Sequence, residues 1–249
     1  MKIYQGFQNR PSGASVFSGS CFIKTGPDCT REAELLKLAS DFTPKLYASS
    51  SEIIILQEIK TQIPILDRLE QHFDRLVKLH KSNIKNPNWR LCSINDYVAY
   101  CLRPKSDSVP SLLYDLITKL SPNIERIPPV FIHGDATISN SIGNYFIDLS
   151  VRPTTGDPIQ DWSKFLFSIL GFDLDLFNSH GLLPSSVLLW YLDHKEIHPH
   201  FSIISKDKIL IRTPEMAFHF ACNLIRVSRK EKLDTEFLNR SLSLLSKYL

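Results

Sequence analysis

The chain has little of what marks a secreted, fibrous or membrane-spanning protein. Only 5 of its 249 residues are cysteine. Cys21, Cys29, Cys92, Cys101 and Cys222 are scattered, odd in number and free of any Cys-x-x-Cys pair, so they suggest neither a disulfide framework nor a zinc site and fit a reducing compartment. No run approaches the roughly 18 apolar residues of a membrane span, and Met1-Lys2-Ile3-Tyr4-Gln5-Gly6 lacks the apolar stretch of a signal peptide. The expectation is a cytoplasmic protein with no membrane partner. Charge is sparse as well: 22% of residues are Asp, Glu, Lys or Arg, with a net charge of +3. Without a block of like charges, the chain indicates neither a nucleic-acid surface nor an interaction tail, and nothing specifies an oligomeric state. Repeats and low-complexity segments are missing too. What remains is 43% apolar residues, enough to bury a sizeable core in one globular unit.

The informative stretch runs from Val130 through His133-Gly134-Asp135 and Asn140 to Tyr145-Phe146-Ile147-Asp148. Each polar group ends an apolar, strand-like run, where a loop presents side chains to a ligand. Phosphoryl transfer requires this set. One carboxylate orients an attacking hydroxyl and takes its proton, while an amide oxygen and a second carboxylate hold the magnesium that bridges the nucleotide phosphates.

The Asp135 to Asn140 spacing equals that of the protein-kinase catalytic loop, with glycine in place of arginine. The segment resembles the aminoglycoside phosphotransferase and choline kinase-like family, whose signature is His-Gly-Asp, four residues, Asn, then Ile-Asp. Gly156-Asp157-Pro158 and Asp161-Trp162 extend the match. The resemblance implies an α+β, bilobal protein kinase-like fold. Residues 1–59 would form a small antiparallel-sheet N-lobe with one helix, and residues 60–249 a larger, mostly helical C-lobe. It also implies ATP (or GTP) and Mg2+ as cofactors, with a hydroxyl-bearing small molecule such as a sugar, polyol or aminoglycoside as acceptor. Asp135 would be catalytic, and Asn140 and Asp148 the metal ligands.

Residues 1–59 hold short β-type runs at 2–4, 15–17, 21–24, 45–48 and 52–57, with turns at Pro11-Ser12-Gly13, Ser18-Gly19-Ser20 and Thr25-Gly26-Pro27. They read as an antiparallel meander interrupted by one helix from about Arg31 to Ser40. Ser12, Gly13, Ala14 and Ser15 are small enough to bring backbone N–H groups over phosphates, although a single glycine departs from the protein-kinase loop. Lys24 ends its strand as the kinase third-strand lysine does, which assigns it to the nucleotide phosphates. At about 100° per residue, Ala33, Leu35, Leu36, Leu38 and Ala39 form an arc centred on Glu32. A glutamate on a buried face needs a partner, and Lys24 is the obvious one. By resemblance, the backbone around Glu58, Ile59 and Lys60 is the hinge that meets adenine.

Further along, Ile65 to His80 carries an apolar stripe through Leu66, Leu69, Phe73 and Leu76, with His80 as a packed, hydrogen-bonded histidine. Helices follow at about 93–102, 111–120, 185–194, 214–229 and 235–248. Another starts at Asp157-Pro158, as cap and first turn, and buries Trp162, Phe165, Leu166 and Ile169. Asp161 falls at the margin of that stripe and is expected to brace the catalytic loop. His194, Glu196, His198 and His200 read as solvated surface, since Pro199 breaks their register. Side chains alternate along strands, so a strict two-residue turn at Gly143-Asn144 would put Asn140 and Asp148 on opposite faces. For both to reach one ion, either the turn is bulged or Asn140 precedes the ladder.

Two other readings compete. The same motif is similar to that of the small Bud-type kinases, ATPases of RNA modification, but the long helical segment after Asp161 favours a small-molecule pocket. The thin glycine loop and short hairpin also suit a pseudokinase or nucleotide-binding module.

Overall fold

The computed structural model describes residues 15–18, 21–59, 65–90, 93–102, 109–125, 128–151, 156–172, 201–205, 208–229, 233 and 235–249. A four-stranded antiparallel sheet opens the described chain. It comprises β1 (Ser15–Ser18), β2 (Cys21–Thr25), β3 (Leu46–Ser49) and β4 (Ile53–Gln57), with helix α1 (Cys29–Leu38) between β2 and β3. The strand order is β1-β2-β4-β3, which corrects the expected meander. The burial pattern explains the exchange. Ile54 and Leu56 of β4 are buried, which suits a central strand, whereas β3 exposes Tyr47, Ala48 and Ser49 and takes the edge. Cys29, Ala33 and Leu36 of α1 pack on Ile54 and Leu56, covering one face of the sheet.

Helices α2 (Ile65–His80), α3 (Ile94–Leu102) and α4 (Ser111–Leu120) follow. The stripe of α2 is buried at Leu69, Phe73, Leu76 and Leu79. A tight hairpin of β5 (Ser141–Ile142) and β6 (Tyr145–Phe146) precedes α5 (Pro158–Phe167), which continues into a π-helical turn over Ser168–Phe172. Asp157 caps α5, accepting from Ile159 N at 2.8 Å with Pro158 in the first turn. A second hairpin, β7 (Phe201–Ser205) with β8 (Lys208–Ile211), leads into α6 (Pro214–Ser228) and α7 (Thr235–Leu245). That hairpin lies where the sequence reads as mostly helical. Its Phe-Ser-Ile-Ile-Ser and Lys-Ile-Leu-Ile runs have the strand composition, but Lys206-Asp207 between them lacks the glycine or asparagine that usually marks such a turn. The expected strand at 2–4, the helix at 185–194 and the histidine-rich stretch at 194–200 lie outside the described residues.

Two helices are buried nearly all round and sit against each other. From Met216 to Ser228 every residue of α6 is buried, as are Ile159 to Asp161 and Ser163 to Phe167 of α5. Polar residues inside this contact meet across it. His219 Nε2 meets Asp157 Oδ2 at 3.1 Å, and Asn223 donates to Ser163 Oγ at 2.7 Å. A smaller apolar cluster of Leu35, Ala39, Leu76, Leu79, Phe131, Ala136, Phe146 and Leu149 ties α1 and α2 to the loop and hairpin between them. Backbone joins them too, Phe146 N donating to Phe42 O at 2.7 Å.

Candidate active site

Lys24, the penultimate residue of β2, has its ammonium 2.7 Å from Glu32 Oε2 and 2.6 Å from Asp148 Oδ1. The lysine is 8% exposed and the glutamate 5%, so their pair is buried, while the Asp148 side chain is 32% exposed and faces the open side. Burial opposes the Lys24 charge, but Asp148 and Glu32 outweigh it and raise the ammonium's pKa. Burial raises the Glu32 carboxyl, Lys24 opposes that shift, and the like charge of Asp148 adds to it. The partly exposed Asp148 carboxylate is a hard oxygen donor suited to a divalent cation.

The loop from Phe131 to Asn140 is held from several directions. Asp161 on α5 is fully buried, its Oδ2 accepting from His133 N and its Oδ1 from Gly134 N, both at 2.8 Å. His80, at the end of α2, contacts the same Oδ2 at 3.0 Å. Burial would raise the Asp161 carboxyl, yet these donors hold it below its ordinary value. On the other side Arg90 donates to Ile132 O at 2.8 Å. Gly134 adopts φ +81, and a Cβ there would stand 2.7 Å from Ser150 Cβ. Only glycine fits a loop pressed so close in that conformation.

These braces present Asp135. Asn140 donates through Nδ2 to Asp135 O at 2.8 Å and Oδ2 at 3.3 Å, so its amide nitrogen is committed and its oxygen is the group left to act as a donor to a metal. Lys164 on α5 lies 3.2 Å from Asp135 Oδ1. Burial would raise the Asp135 carboxyl, but Lys164, Arg226 and His133 hold it well below the usual carboxylate range. It is therefore a standing carboxylate, suited to orienting a hydroxyl and taking its proton late in transfer.

The hairpin question has a definite answer. Ser141 pairs with Phe146 and Ile142 with Tyr145, a strict two-residue turn, and Asn140 ends a 3-10 turn just before the ladder. Ile147 N still donates to Asn140 O at 2.9 Å, which keeps the two ends together. Asp148 then takes φ +55, rare for a residue with a side chain. This left-handed step breaks the alternation and returns its carboxylate toward Lys24. Asn140 and Asp148 are hard oxygen donors of the kind magnesium accepts, with remaining positions left to water and phosphate.

Of the remaining expected residues, Ser15 begins β1 opposite Lys24, and Glu58 and Ile59 follow β4 half-buried. Ser12, Gly13, Ala14 and Lys60 lie outside the described residues. Arg90, Lys164 and Arg226 are additions. The sequence does carry a signal for one of them: Arg226 follows the run Met216 to Ile225, apolar on nearly all sides, where a cation needs a counter-charge.

No family model and no curated protein matches the sequence. Solved structures do. LicA in complex with AMP is similar with a TM-score of 0.57 and 13% identity, over 100% of this chain and 92% of that one. A choline/ethanolamine kinase family protein from Mesorhizobium loti gives a TM-score of 0.55 and 12% identity, over 98% and 88% of the two chains. The chain has the choline kinase-like fold. Identity this low speaks for the choline kinase-like architecture alone, and the chemistry rests on the side chains just described. Among the described residues no helix is long and apolar enough to cross a membrane.

Proposed function

We propose that the protein is a magnesium-dependent kinase that transfers the γ-phosphoryl group of ATP or GTP to a hydroxyl of a small molecule, a sugar, polyol or aminoglycoside in type. The observation that carries this reading is the double contact of Lys24 with Glu32 and Asp148, which joins a phosphate-binding lysine to a metal-binding carboxylate. LicA with bound AMP supports a nucleotide on this fold. Residues 1–59 and 60–249 would be the two lobes, with the nucleotide between them. Ser12 to Ser15 would cover its phosphates, and the backbone of Glu58, Ile59 and Lys60 would meet its base.

Asn140 and Asp148 would hold the magnesium, whose charge neutralises the phosphate oxygens. Lys24 steadies the α- and β-phosphates, and Glu32 keeps Lys24 in place. Asp135 accepts a hydrogen bond from the acceptor hydroxyl, so that its oxygen faces the γ-phosphorus in line with the leaving group. As the new O–P bond forms, the bond from phosphorus to the bridging oxygen breaks, ADP leaves with that electron pair, and the hydroxyl proton passes to Asp135 and on to water. The rest is positioning, supplied by Asp161, His80 and Arg90 through the loop backbone.

The test is transfer from γ-labelled ATP to a panel of hydroxyl compounds, with Asp135→Ala beside the wild type. The variant should bind Mg-ATP with wild-type affinity and lose roughly 10²–10⁴-fold in transfer. Equal turnover by the variant would refute the role of Asp135, and failure of the pure protein to bind Mg-nucleotide would remove the kinase reading itself.

A further inference from the structure

The hairpin between Asn140 and Asp148 is too small to hold its own shape. β5 and β6 pair Ser141 with Phe146 and Ile142 with Tyr145 across the turn Gly143-Asn144, and an isolated two-stranded ribbon is marginal in water even when it is longer. Yet Asn140 directly precedes its first residue, and Asp148 stands two positions beyond its last. Where those two side chains point therefore depends on what the hairpin is fastened to.

α2 does the fastening. His72 and Arg75 are three residues apart and so neighbours on the helix surface, and both are buried. Arg75 donates from Nη2 to Gly143 O at 2.7 Å and lays its guanidinium over the Phe146 ring, 5.3 Å from the centroid. His72 Nδ1 meets Ser141 Oγ at 2.5 Å, and the imidazole stands edge-on to Phe146 at 5.3 Å. Phe165 of α5 stacks on the same imidazole at 5.4 Å, which fixes its tilt. The contacts thus fall at the base, the turn and the return strand of the hairpin, all between Asn140 and Asp148 in sequence. His133 adds a further wall from the catalytic loop, edge-on to Phe146 at 5.1 Å.

We infer that Arg75 and His72 are positioning residues for the divalent cation, clamping the hairpin to α2 so that Asn140 and Asp148 keep the separation that one ion requires. This rests on the kinase reading, which makes those two side chains the metal donors, and adds the device that aims them. The signature of such a role is selectivity between ions. Mg2+ demands near-ideal octahedral geometry at about 2.0–2.1 Å, whereas Ca2+ accepts longer and less regular oxygen shells. A looser clamp should therefore penalise Mg2+ more than Ca2+, a difference that loss of stability alone does not produce. Without the guanidinium, the backbone bond from Phe146 N to Phe42 O still ties the hairpin, so the expected result is a displaced hairpin in a folded chain.

The experiment titrates the full chain with an ATP analogue carrying a β,γ-imido bridge, by calorimetry, in chelator and then with Mg2+ or Ca2+. Mg2+ should tighten binding to the wild type. Arg75→Met should lose about tenfold in the Mg2+-supported affinity and about threefold or less in the Ca2+-supported one, with metal-free affinity unchanged. Arg75→Lys keeps a cation and a donor on that side of the turn and should recover part of the Mg2+ loss. Ser141→Ala removes the His72 contact and should show the same ion preference in weaker form. Phe237→Leu, in the core at α7, is the stability control, expected to lower Tm and leave the ratio of Mg2+ to Ca2+ affinity unmoved. An Arg75→Met ratio equal to that of the wild type, or a loss shared equally by the metal-free analogue, overturns the inference and leaves the kinase reading standing. A wild type that binds the analogue no better with Mg2+ than in chelator overturns both. Should Arg75→Met not fold, Arg75→Lys and Ser141→Ala decide by the same ratio.

Discussion

Lys24 Nζ lies 2.6 Å from Asp148 Oδ1, a residue 124 positions further along the chain. Because the same ammonium also meets Glu32, removing it strands a buried glutamate and a second carboxylate together. Lys24→Met should therefore cost about 3–5 kcal/mol, the usual penalty for breaking a buried pair, and lower Tm by roughly 2–4 °C per kcal/mol. The ammonium's pKa is raised in the folded protein. Its stabilising contribution is thus full below the ordinary lysine value near about 10.4 and is lost as pH rises through the folded value. Melting curves should show wild type and variant well separated at neutral pH and converging in strong alkali. A constant difference across that range would count against the assignment.

Gly134 tests the loop's backbone. With φ +81 and a Cβ position 2.7 Å from Ser150 Cβ, Gly134→Ala should destabilise the protein by more than about 1 kcal/mol, from the left-handed conformation and the clash together. Adding Ser150→Gly removes the shortest contact but neither the 3.0 Å approach to Arg90 Nη2 nor the conformational term, so the double variant should recover stability only in part. Chemical denaturation of the three variants separates the two contributions. Complete rescue would mean that the dihedral costs nothing.

Asp161→Asn puts an amide donor where three donors converge. At least one of the His133 and Gly134 N–H groups would lose its acceptor, at about 1–3 kcal/mol for each orphaned buried group. Asp135 sits one residue beyond, so the loop should also lose its catalytic placement, and a misplacement of about 1 Å is worth roughly 10²-fold in rate. Nucleotide affinity should hold while kcat falls. A variant that weakens Mg-ATP binding and leaves kcat intact would place Asp161 in a different role.

How much of this was readable beforehand depends on whether the determinant is local. Helical phase alone centres Glu32 on the buried face of α1, and the caps Asp157-Pro158 and Thr213-Pro214 announce α5 and α6, because each signal lies within a few residues. The Asn140–Asp148 problem was legible as a contradiction between strand alternation and shared ligation, but its resolution was not. A left-handed aspartate is a tertiary outcome, held by Lys24 from the far end of the chain. The β1-β2-β4-β3 order likewise follows from which strand is apolar on enough sides to be central, a comparison between strands that turn signals do not encode. Arg90 gives no local sign that it will brace a carbonyl 42 positions away.

Lys164 sets the protonation of the base. Burial would raise the Asp135 carboxyl, but Lys164 is the largest opposing influence, ahead of Arg226 and His133, and the group stays ionised far into acid. In the wild type, therefore, the acid side of the kcat/KM profile should not report Asp135 at any pH at which the protein is folded. Lys164→Met removes the ion pair and leaves burial less opposed, so the Asp135 pKa must rise. Protonated Asp135 can neither receive the hydroxyl proton nor orient its oxygen, so the variant's rate should fall as pH drops through the new value, producing an acid limb that the wild type lacks. The stability linkage has the same sign: a depressed carboxylate stabilises above its unfolded pKa and loses that contribution as pH falls through the folded one. With 37% of the Asp135 side chain exposed, solvent screens much of that contribution, so the rate profile is the sharper measurement. Superimposable profiles for Lys164→Met and wild type, determined with one acceptor at saturating Mg-ATP, would show that Lys164 does not control the base.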